Sequence, residues 1–267
     1  MNLRLMQDSD PTFVDGSRNQ VQRLYRAGLV PKHAVLDVGC SVGRTAIGLM
    51  ADSQFQGTYV GFDVMPKQVG WARETLTPLD TRFTFRHLDM RNDRYNPNGS
   101  VERADLKFPV QDGRFGMACL FSVFTHFYKE DIALYLSELE RTLRPGGRIL
   151  ATWFLFNDEN RDVVQSQSAY PMKYQLDDVT LYNEEADRLR AIAFDETFVR
   201  EMVRQAGLEV VKVAFGTWAG GPGPDFQDEV YLRKPGRSAP QLPALGRARR
   251  KAGRILIRAG HRLASDN

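Results

Sequence analysis

The residues best placed by type and spacing to do chemistry are Asp37, Gly39, Cys40, Ser41 and Gly43, in the run Val35-Leu-Asp-Val-Gly-Cys-Ser-Val-Gly-Arg44, together with Asp63, twenty residues after Gly43. The run reads as a buried strand breaking into a glycine loop that opens a helix. Glycines let backbone approach a ligand where a Cβ would clash, and a carboxylate at the tip of the next strand can accept both hydroxyls of a ribose. A dinucleotide fingerprint needs G-x-G-x-x-G so that a pyrophosphate can rest on the helix N-terminus. Here the series is Gly39, Ser41, Arg44, which disfavours NAD. Two further strand ends carry candidate groups, Asp89 with Met90 and Phe121 with Ser122, and His126 follows five residues after Phe121. Imidazole is the usual base for removing a hydroxyl proton near neutral pH.

The elements that must position these groups alternate in type. The pattern predicts a helix over 16–27 after an irregular 1–15, a strand over 34–38 and a helix over 44–51. A strand over 58–62 ends in Asp63, and Pro66 starts a helix that runs to residue 76. The strand over 82–87 ends at Leu88-Asp89-Met90, followed by a turn-rich loop, 91–100, too polar for a core. The apolar run 115–121 fits a strand buried on both faces. A helix over 129–143 stops at Arg144-Pro-Gly-Gly147 before a strand over 148–154. Residues 156–193 break the rhythm, being polar and too long for an ordinary connection, and are expected to form a lid over the substrate. A helix over 195–206 and strands over 208–215 and 229–233, joined as a hairpin through the glycine-rich 216–224, complete the pattern. Such alternation implies an α/β, doubly wound, seven-stranded and mostly parallel sheet with an antiparallel last strand.

The chain has 267 residues, 42% of them hydrophobic, enough for one large α/β domain. The expected organisation is an N-terminal segment and helix over 1–30, the main domain over 31–233 and a basic tail over 234–267. The net charge of +3 is unevenly spread: nine basic residues and one acid lie from Lys234 onward, a tail of +8 on a body of −5. An acidic body argues against gripping nucleic-acid phosphates. As a helix, 245–263 would gather Leu245, Ala248, Ala252, Leu256, Ala259 and Leu263 on one stripe opposite five basic residues, a candidate contact for an anionic membrane surface, a polyanion or a partner subunit. Three glycines weaken that helix. The N-terminus lacks an apolar signal segment and no apolar run approaches a membrane span, so the expected location is cytoplasmic. The two cysteines, Cys40 and Cys119, sit in or beside apolar strands without metal-ligand spacing.

Taken together, Asp37, Gly39 and Gly43, with Ser41 at the central glycine position, Asp63, Asp89, Phe121-Ser122 and Leu143-Arg-Pro-Gly-Gly147 resemble class I S-adenosylmethionine-dependent methyltransferases. The likeness covers about residues 16–233. Tyr95-Asn-Pro-Asn-Gly99, Ser122-Val-Phe-Thr-His126 and Trp218-Ala-Gly220 look like a bacterial subgroup acting on small molecules. The resemblance implies a Rossmann-like fold and S-adenosylmethionine as cofactor. It places Gly39, Cys40, Ser41 and Gly43 beside the methionine portion and Asp63 on the ribose. Val64 and Met65 flank the adenine, Asp89 and Met90 reach its edge, and Phe121 and Ser122 flank the sulfonium. His126 is then the candidate catalytic base for O-methylation of a sugar, glycolipid or secondary metabolite. Metal assistance would require oxygen ligands such as Asp158, Glu159 or Asp177-Asp178, although no metal site is expected. Trp153, Phe154, Tyr170 and Tyr174 would wall a sugar or lipid. The competing readings are nucleic-acid or protein methylation, against which stands Phe121-Ser-Val-Phe in place of an Asn/Asp-Pro-Pro-aromatic sequence, and a non-enzymatic binding module.

Overall fold

The computed structural model describes residues 11–236. The basic stripe expected over 245–263 lies outside the described residues, as do residues 1–10. Five parallel-sheet units form as the alternation predicts: β1 (Ala34–Val38), α2 (Arg44–Ala51), β2 (Thr58–Asp63), α3 (Pro66–Thr75), β3 (Phe83–His87), β4 (Phe115–Leu120), α4 (Lys129–Thr142) and β5 (Leu143–Trp153). They are preceded by α1 (Pro11–Arg26) and closed by α5 (Glu196–Gln205), β10 (Glu209–Ala214) and β11 (Asp228–Arg233). The strand order is β10-β11-β5-β4-β1-β2-β3. β11 runs antiparallel to both neighbours, inserted between β5 and β10. The chain therefore ends its sheet with one reversed strand, which lies inside the sheet and leaves β10 at the edge.

Side-chain alternation explains the two faces. Leu36 and Val38 of β1, Val60 and Phe62 of β2, and Ala118 and Leu120 of β4 join a core with α4 and α5. Val35, Tyr59, Met117 and Cys119, one residue out of phase, join a second core with α1, α2 and α3. Successive residues of a strand point to opposite faces, so continuous apolar runs are what a doubly covered sheet requires. The sequence-based helix start at residue 16 is corrected: α1 begins at Pro11, whose missing N–H is harmless in a first turn. α1 packs closely on the domain through Gly48, where a Cβ would lie 2.5 Å from the Ser17 carbonyl oxygen. β5 likewise starts earlier than expected, at Leu143, and the Pro-Gly-Gly sequence forms an irregularity between the Phe115–Leu143 and Met117–Arg148 pairs.

The insertion is the main departure from expectation. It folds a second, four-stranded sheet in the order β6-β9-β8-β7, from β6 (Leu155–Phe156), β7 (Tyr174–Asp177), β8 (Thr180–Tyr182) and β9 (Ile192–Asp195), none of which the sequence pattern predicts. Its own core contains Phe154, Phe156, Val164, Met172, Leu181 and Trp218. This corrects the aromatic wall. Trp153 is fully buried against Phe124 and Phe194, Phe154 stacks with Tyr170, and Tyr174 stacks with Tyr182. Trp153 is fully buried in the main core and Phe154 buried in the core of the small sheet, each such ring contributing roughly 1.5–3 kcal/mol, while Tyr170 and Tyr174 are half-buried. Asp228 ties the two sheets together, accepting from Gly216 N (2.7 Å), Leu155 N (2.7 Å) and Trp218 Nε1 (2.9 Å).

Candidate active site

The strand order reverses direction between β1 and β4, which are paired neighbours. In open α/β sheets the crevice outside the carboxyl ends of the strands at such a reversal is where ligands bind. Here the loops after β1, β2 and β4 meet around a cavity of about 290 Å³. Gly39, Ser41, Asp63, Val64, Met65, Phe121, Ser122 and His126, all singled out from sequence, line it.

The backbone around this crevice is specialised. Gly39 has φ +77°, and a Cβ there would lie 2.6 Å from Val123 Cγ2, so the loops after β1 and β4 approach each other as only glycine permits. Gly43, φ +83°, caps α2. Ser41 and Ser122 have φ of 48° and 56°, the only non-glycine residues with positive φ among those described. Both line the cavity, one on each side of the strand reversal. The Ser122 N–H donates to Thr152 Oγ1 (2.8 Å) and its hydroxyl to Gln227 Oε1 (2.9 Å), holding the end of β4 to β5 and the closing hairpin. Arg23 of α1 lies over the Phe121 ring, its Cζ 4.8 Å from the centroid, and pairs with Glu229 at 2.6 Å.

Asp63 is buried, and its carboxylate accepts Ser41 N–H on Oδ2 (2.8 Å) and Met65 N–H on Oδ1 (3.0 Å). Burial raises its pKa, while those N–H donors pull it back down. A carboxylate offers about four lone-pair sites, so both oxygens keep capacity for a ligand. Asp37 and Asp89 do not line this cavity. Asp37 is turned into the core, where Tyr59 Oη donates to it at 2.6 Å, and burial pushes its pKa up to about 6 against the hydrogen bonds from Tyr59, Thr45 and Cys119. It does not line the cavity; nor do Cys40, a buried free thiol, and Gly43. Asp89 is the hub of the loop after β3: Ser100 Oγ (2.6 Å), Ser100 N (3.2 Å) and Asn96 Nδ2 (3.1 Å) all donate to it, lowering its pKa. Its neighbour Met90 lines a second cavity.

That second cavity, about 310 Å³, adjoins the first and shares Asn92, His126 and Phe127 with it. His126 ends a short 3₁₀ turn, Phe124–His126, and its Nδ1 lies 3.0 Å from the Leu189 carbonyl oxygen of the insertion. A carbonyl oxygen only accepts, so Nδ1 carries a proton and the neutral ring keeps its acceptor on Nε2. Burial lowers the His126 pKa, opposed by the Leu189 and Arg190 backbone and reinforced by Arg94. Tyr95 stands edge-on to His126, ring centroids 6.0 Å apart, and Arg94 forms an ion pair with Asp187 of the insertion. Both loops thus close on the same wall.

Two further lining residues come from the loop after β3. Asn92 and Tyr95 sit in the polar loop, where Asn92 Oδ1 accepts from Arg94 N (3.1 Å) and Tyr95 N (2.9 Å) and turns the aromatic ring inward to the site. A lone aromatic three residues after an asparagine in a turn-rich stretch was the available clue. The other described histidines do not line the cavity: His33 Nε2 contacts Arg144 (2.8 Å) and His87 Nε2 contacts the Val64 carbonyl oxygen (3.1 Å). The candidate metal ligands do not converge. Asp177 pairs with Lys129, Asp158, Glu159 and Asp178 are exposed, and no cluster of three or more His, Cys, Asp or Glu occurs among the described residues.

A reversed-strand seven-stranded sheet with an acid at the tip of β2 and a glycine cradle after β1 defines the class of proteins that bind an adenosyl group at this crevice. The chain belongs to the class I S-adenosylmethionine-dependent methyltransferases: a family model described as a methyltransferase domain matches residues 16–213. A relative, 2-methyl-6-phytyl-1,4-hydroquinone methyltransferase of Synechocystis, is 34% identical over 126 residues, 47% of this chain and 33% of that protein. The chain therefore matches about a third of the length of that relative. Among solved structures, 1,6-didemethyltoxoflavin-N1-methyltransferase of Burkholderia thailandensis, crystallised with bound 1,6-didemethyltoxoflavin and S-adenosylhomocysteine, aligns at TM-score 0.51 and 18% identity, covering 85% of this chain and 80% of that one. A methyltransferase of Aquifex aeolicus aligns at TM-score 0.52 and 18% identity over 86% and 95% of the two chains. The [4+2]-cyclase SpnF aligns equally well, TM-score 0.54 and 18% identity over 82% and 81%. These three likenesses concern the fold.

Proposed function

We propose that this protein transfers the methyl group of S-adenosylmethionine to a hydroxyl oxygen of a small or medium molecule, such as a sugar, glycolipid or secondary metabolite, with His126 as general base. The observation that carries the reading is the position of His126 on the wall common to both cavities, with Nδ1 held by the Leu189 carbonyl. In this reading Asp63 receives the ribose hydroxyls, Gly39 and Ser41 admit the methionine portion, Val64 and Met65 flank the adenine, and Phe121 and Ser122 border the reacting centre. Asp37, Cys40, Gly43 and Asp89 are positioning residues: they shape the loops after β1 and β3 from behind. Met90 belongs to the acceptor side.

The cofactor supplies an electrophilic methyl carbon bonded to a sulfonium. The chain's task is to hold the acceptor oxygen in line with that bond and remove its proton. With the cofactor held there, His126 Nε2 would take the hydroxyl proton as the oxygen received the methyl group, and the products would be a methyl ether and S-adenosylhomocysteine. The lowered pKa of His126 keeps the imidazole neutral, and so able to accept, at neutral pH. The hydroquinone methyltransferase relative supports a second reading, with an aromatic diol as acceptor.

Labelled methyl transfer against a panel of sugars, phenols, quinols, RNA and protein tests the proposal. His126→Ala should lose roughly 10²–10⁴-fold in turnover while S-adenosylhomocysteine binding stays unchanged. Label entering nucleic acid, protein or ring carbon, or full activity in the variant, would overturn it.

A further inference from the structure

We propose that the second cavity is the acceptor pocket and that it is built for a polyhydroxylated, saccharide-type ligand; this rests on the methyl-transfer reading above. The position follows from sharing: a molecule held there lies against His126 and Asn92, which also border the first cavity.

The ligand class follows from the wall. Arg91, Asp93, Glu102, Arg103 and Asp131 all line it. Arg103 Nε lies 2.5 Å from Asp131 Oδ1, and Arg91 Nη1 lies 3.8 Å from Glu102 Oε1. The ion pairs fix the charged heads without exhausting them. Asp131 Oδ1 is buried against Arg103, out of a ligand's reach, and the Arg91–Glu102 contact is too long for a hydrogen bond, so the free capacity lies on the exposed Arg91, Asp93 and Glu102. The exposed carboxylates of Asp93 and Glu102 can each accept two hydroxyls and each guanidinium carries five donors, which matches neighbouring hydroxyls of a sugar ring. Met90 and Phe127 supply an apolar strip for its C–H face.

Other acceptor classes fit less well. A quinol ring has only two hydroxyls to offer four exposed ionised side chains, so most of them would lose water without return, at several kcal/mol per desolvated ion. An anion meets three carboxylates against two guanidiniums. A cation finds Glu102 and Asp131 already paired, leaving Asp93 as the one lining carboxylate without an ion pair among the described residues.

The test is saturation-transfer NMR and calorimetry on the full chain saturated with S-adenosylhomocysteine, using methyl glycosides of common hexoses and deoxyhexoses, myo-inositol, a soluble hydroquinone and tyramine as probes. The expected result is binding by at least one glycoside or inositol. That binding should weaken at least roughly tenfold in Asp93→Asn, the loss expected for a hydrogen bond to a charged group, with S-adenosylhomocysteine affinity unchanged. Because Glu102 is also exposed, Glu102→Gln gives a second variant expected to fold normally and to lose sugar affinity. Binding of hydroquinone or tyramine in place of every sugar, no sugar binding, or sugar binding untouched by both variants would overturn the proposal. Failure to bind S-adenosylhomocysteine would instead defeat the underlying methyl-transfer reading.

Discussion

The Ser41 backbone N–H donates to Asp63 Oδ2 at 2.8 Å, so the left-handed residue of the loop after β1 and the acid at the tip of β2 form one unit. The loop is held by the same carboxylate proposed to receive the ribose. Ligand binding and loop shape are therefore coupled through one side chain.

Ser41 occupies backbone space that glycine enters freely. Ser41→Gly should keep stability within about 1 kcal/mol of wild type, since relief of left-handed strain offsets the entropy of an added glycine. It should also keep cofactor affinity, because the N–H to Asp63 remains. Ser41→Val should destabilise by about 1–3 kcal/mol, a β-branched residue being held at positive φ. Thermal melts of the two variants decide it; equal melting temperatures would contradict the strain argument.

Gly39→Ala places a methyl 2.6 Å from Val123 Cγ2 at φ +77°. Cofactor affinity should drop by roughly tenfold or more as the loops after β1 and β4 are pushed apart, an effect of about 1–3 kcal/mol. Gly39→Ala with Val123→Ala should recover the steric part and keep the backbone part. No recovery in the double variant, measured by calorimetry with S-adenosylhomocysteine, would contradict the packing explanation.

Burial lowers the His126 pKa below its ordinary value near 6.5. The neutral imidazole is the base, so kcat/KM should be level at neutral pH and fall as acidity rises through that lowered value. The acid limb then lies below pH 6.5 and disappears in His126→Ala. A pH–rate profile whose acid limb survives the substitution would assign the proton to another group.

Trp218 Nε1 is one of three donors to the buried Asp228, whose pKa burial pushes up to about 7 despite them. Trp218→Phe should destabilise by about 1–3 kcal/mol, because Asp228 Oδ2 loses one of its two donors out of water and keeps only the Leu155 N–H. The loss should be larger above pH 7 than below. With the folded pKa raised above the unfolded value, the native state prefers the protonated acid, and stability falls as pH climbs from the ordinary carboxylate value of about 3.9 up to about 7. Chemical denaturation at two pH values measures this; an unchanged midpoint would contradict it.

The sheet was legible because its order is written locally. Apolar runs such as 115–121, glycine breaks after Val38 and the single reversed hairpin need no knowledge of distant partners. Strand-end residues were legible for the same reason, and Gly39, Ser41, Asp63, Val64, Met65, Phe121, Ser122 and His126 do converge on one cavity. The inward turn of Asp37 toward Tyr59 was hidden, since a strand residue's face depends on phase across the whole sheet. So was the insertion. Its strands are three or four residues long apart from the two-residue β6, too short to register as alternation, and its aromatic residues looked like a ligand wall until their pairing partners were fixed. The pairing of Arg103 with Asp131, from different connections, had no local sign at all.

The most direct test is calorimetric titration of S-adenosylmethionine or S-adenosylhomocysteine into the wild-type chain and Asp63→Ala, with His126→Ala as control. Wild type and His126→Ala should bind equally and with one site. Asp63→Ala should lose roughly ten- to hundredfold in affinity, the cost of removing a charged acceptor. Equal affinity in Asp63→Ala, or no binding by the wild-type chain, would contradict the assignment of the crevice between β1 and β4 as the methyl-donor site.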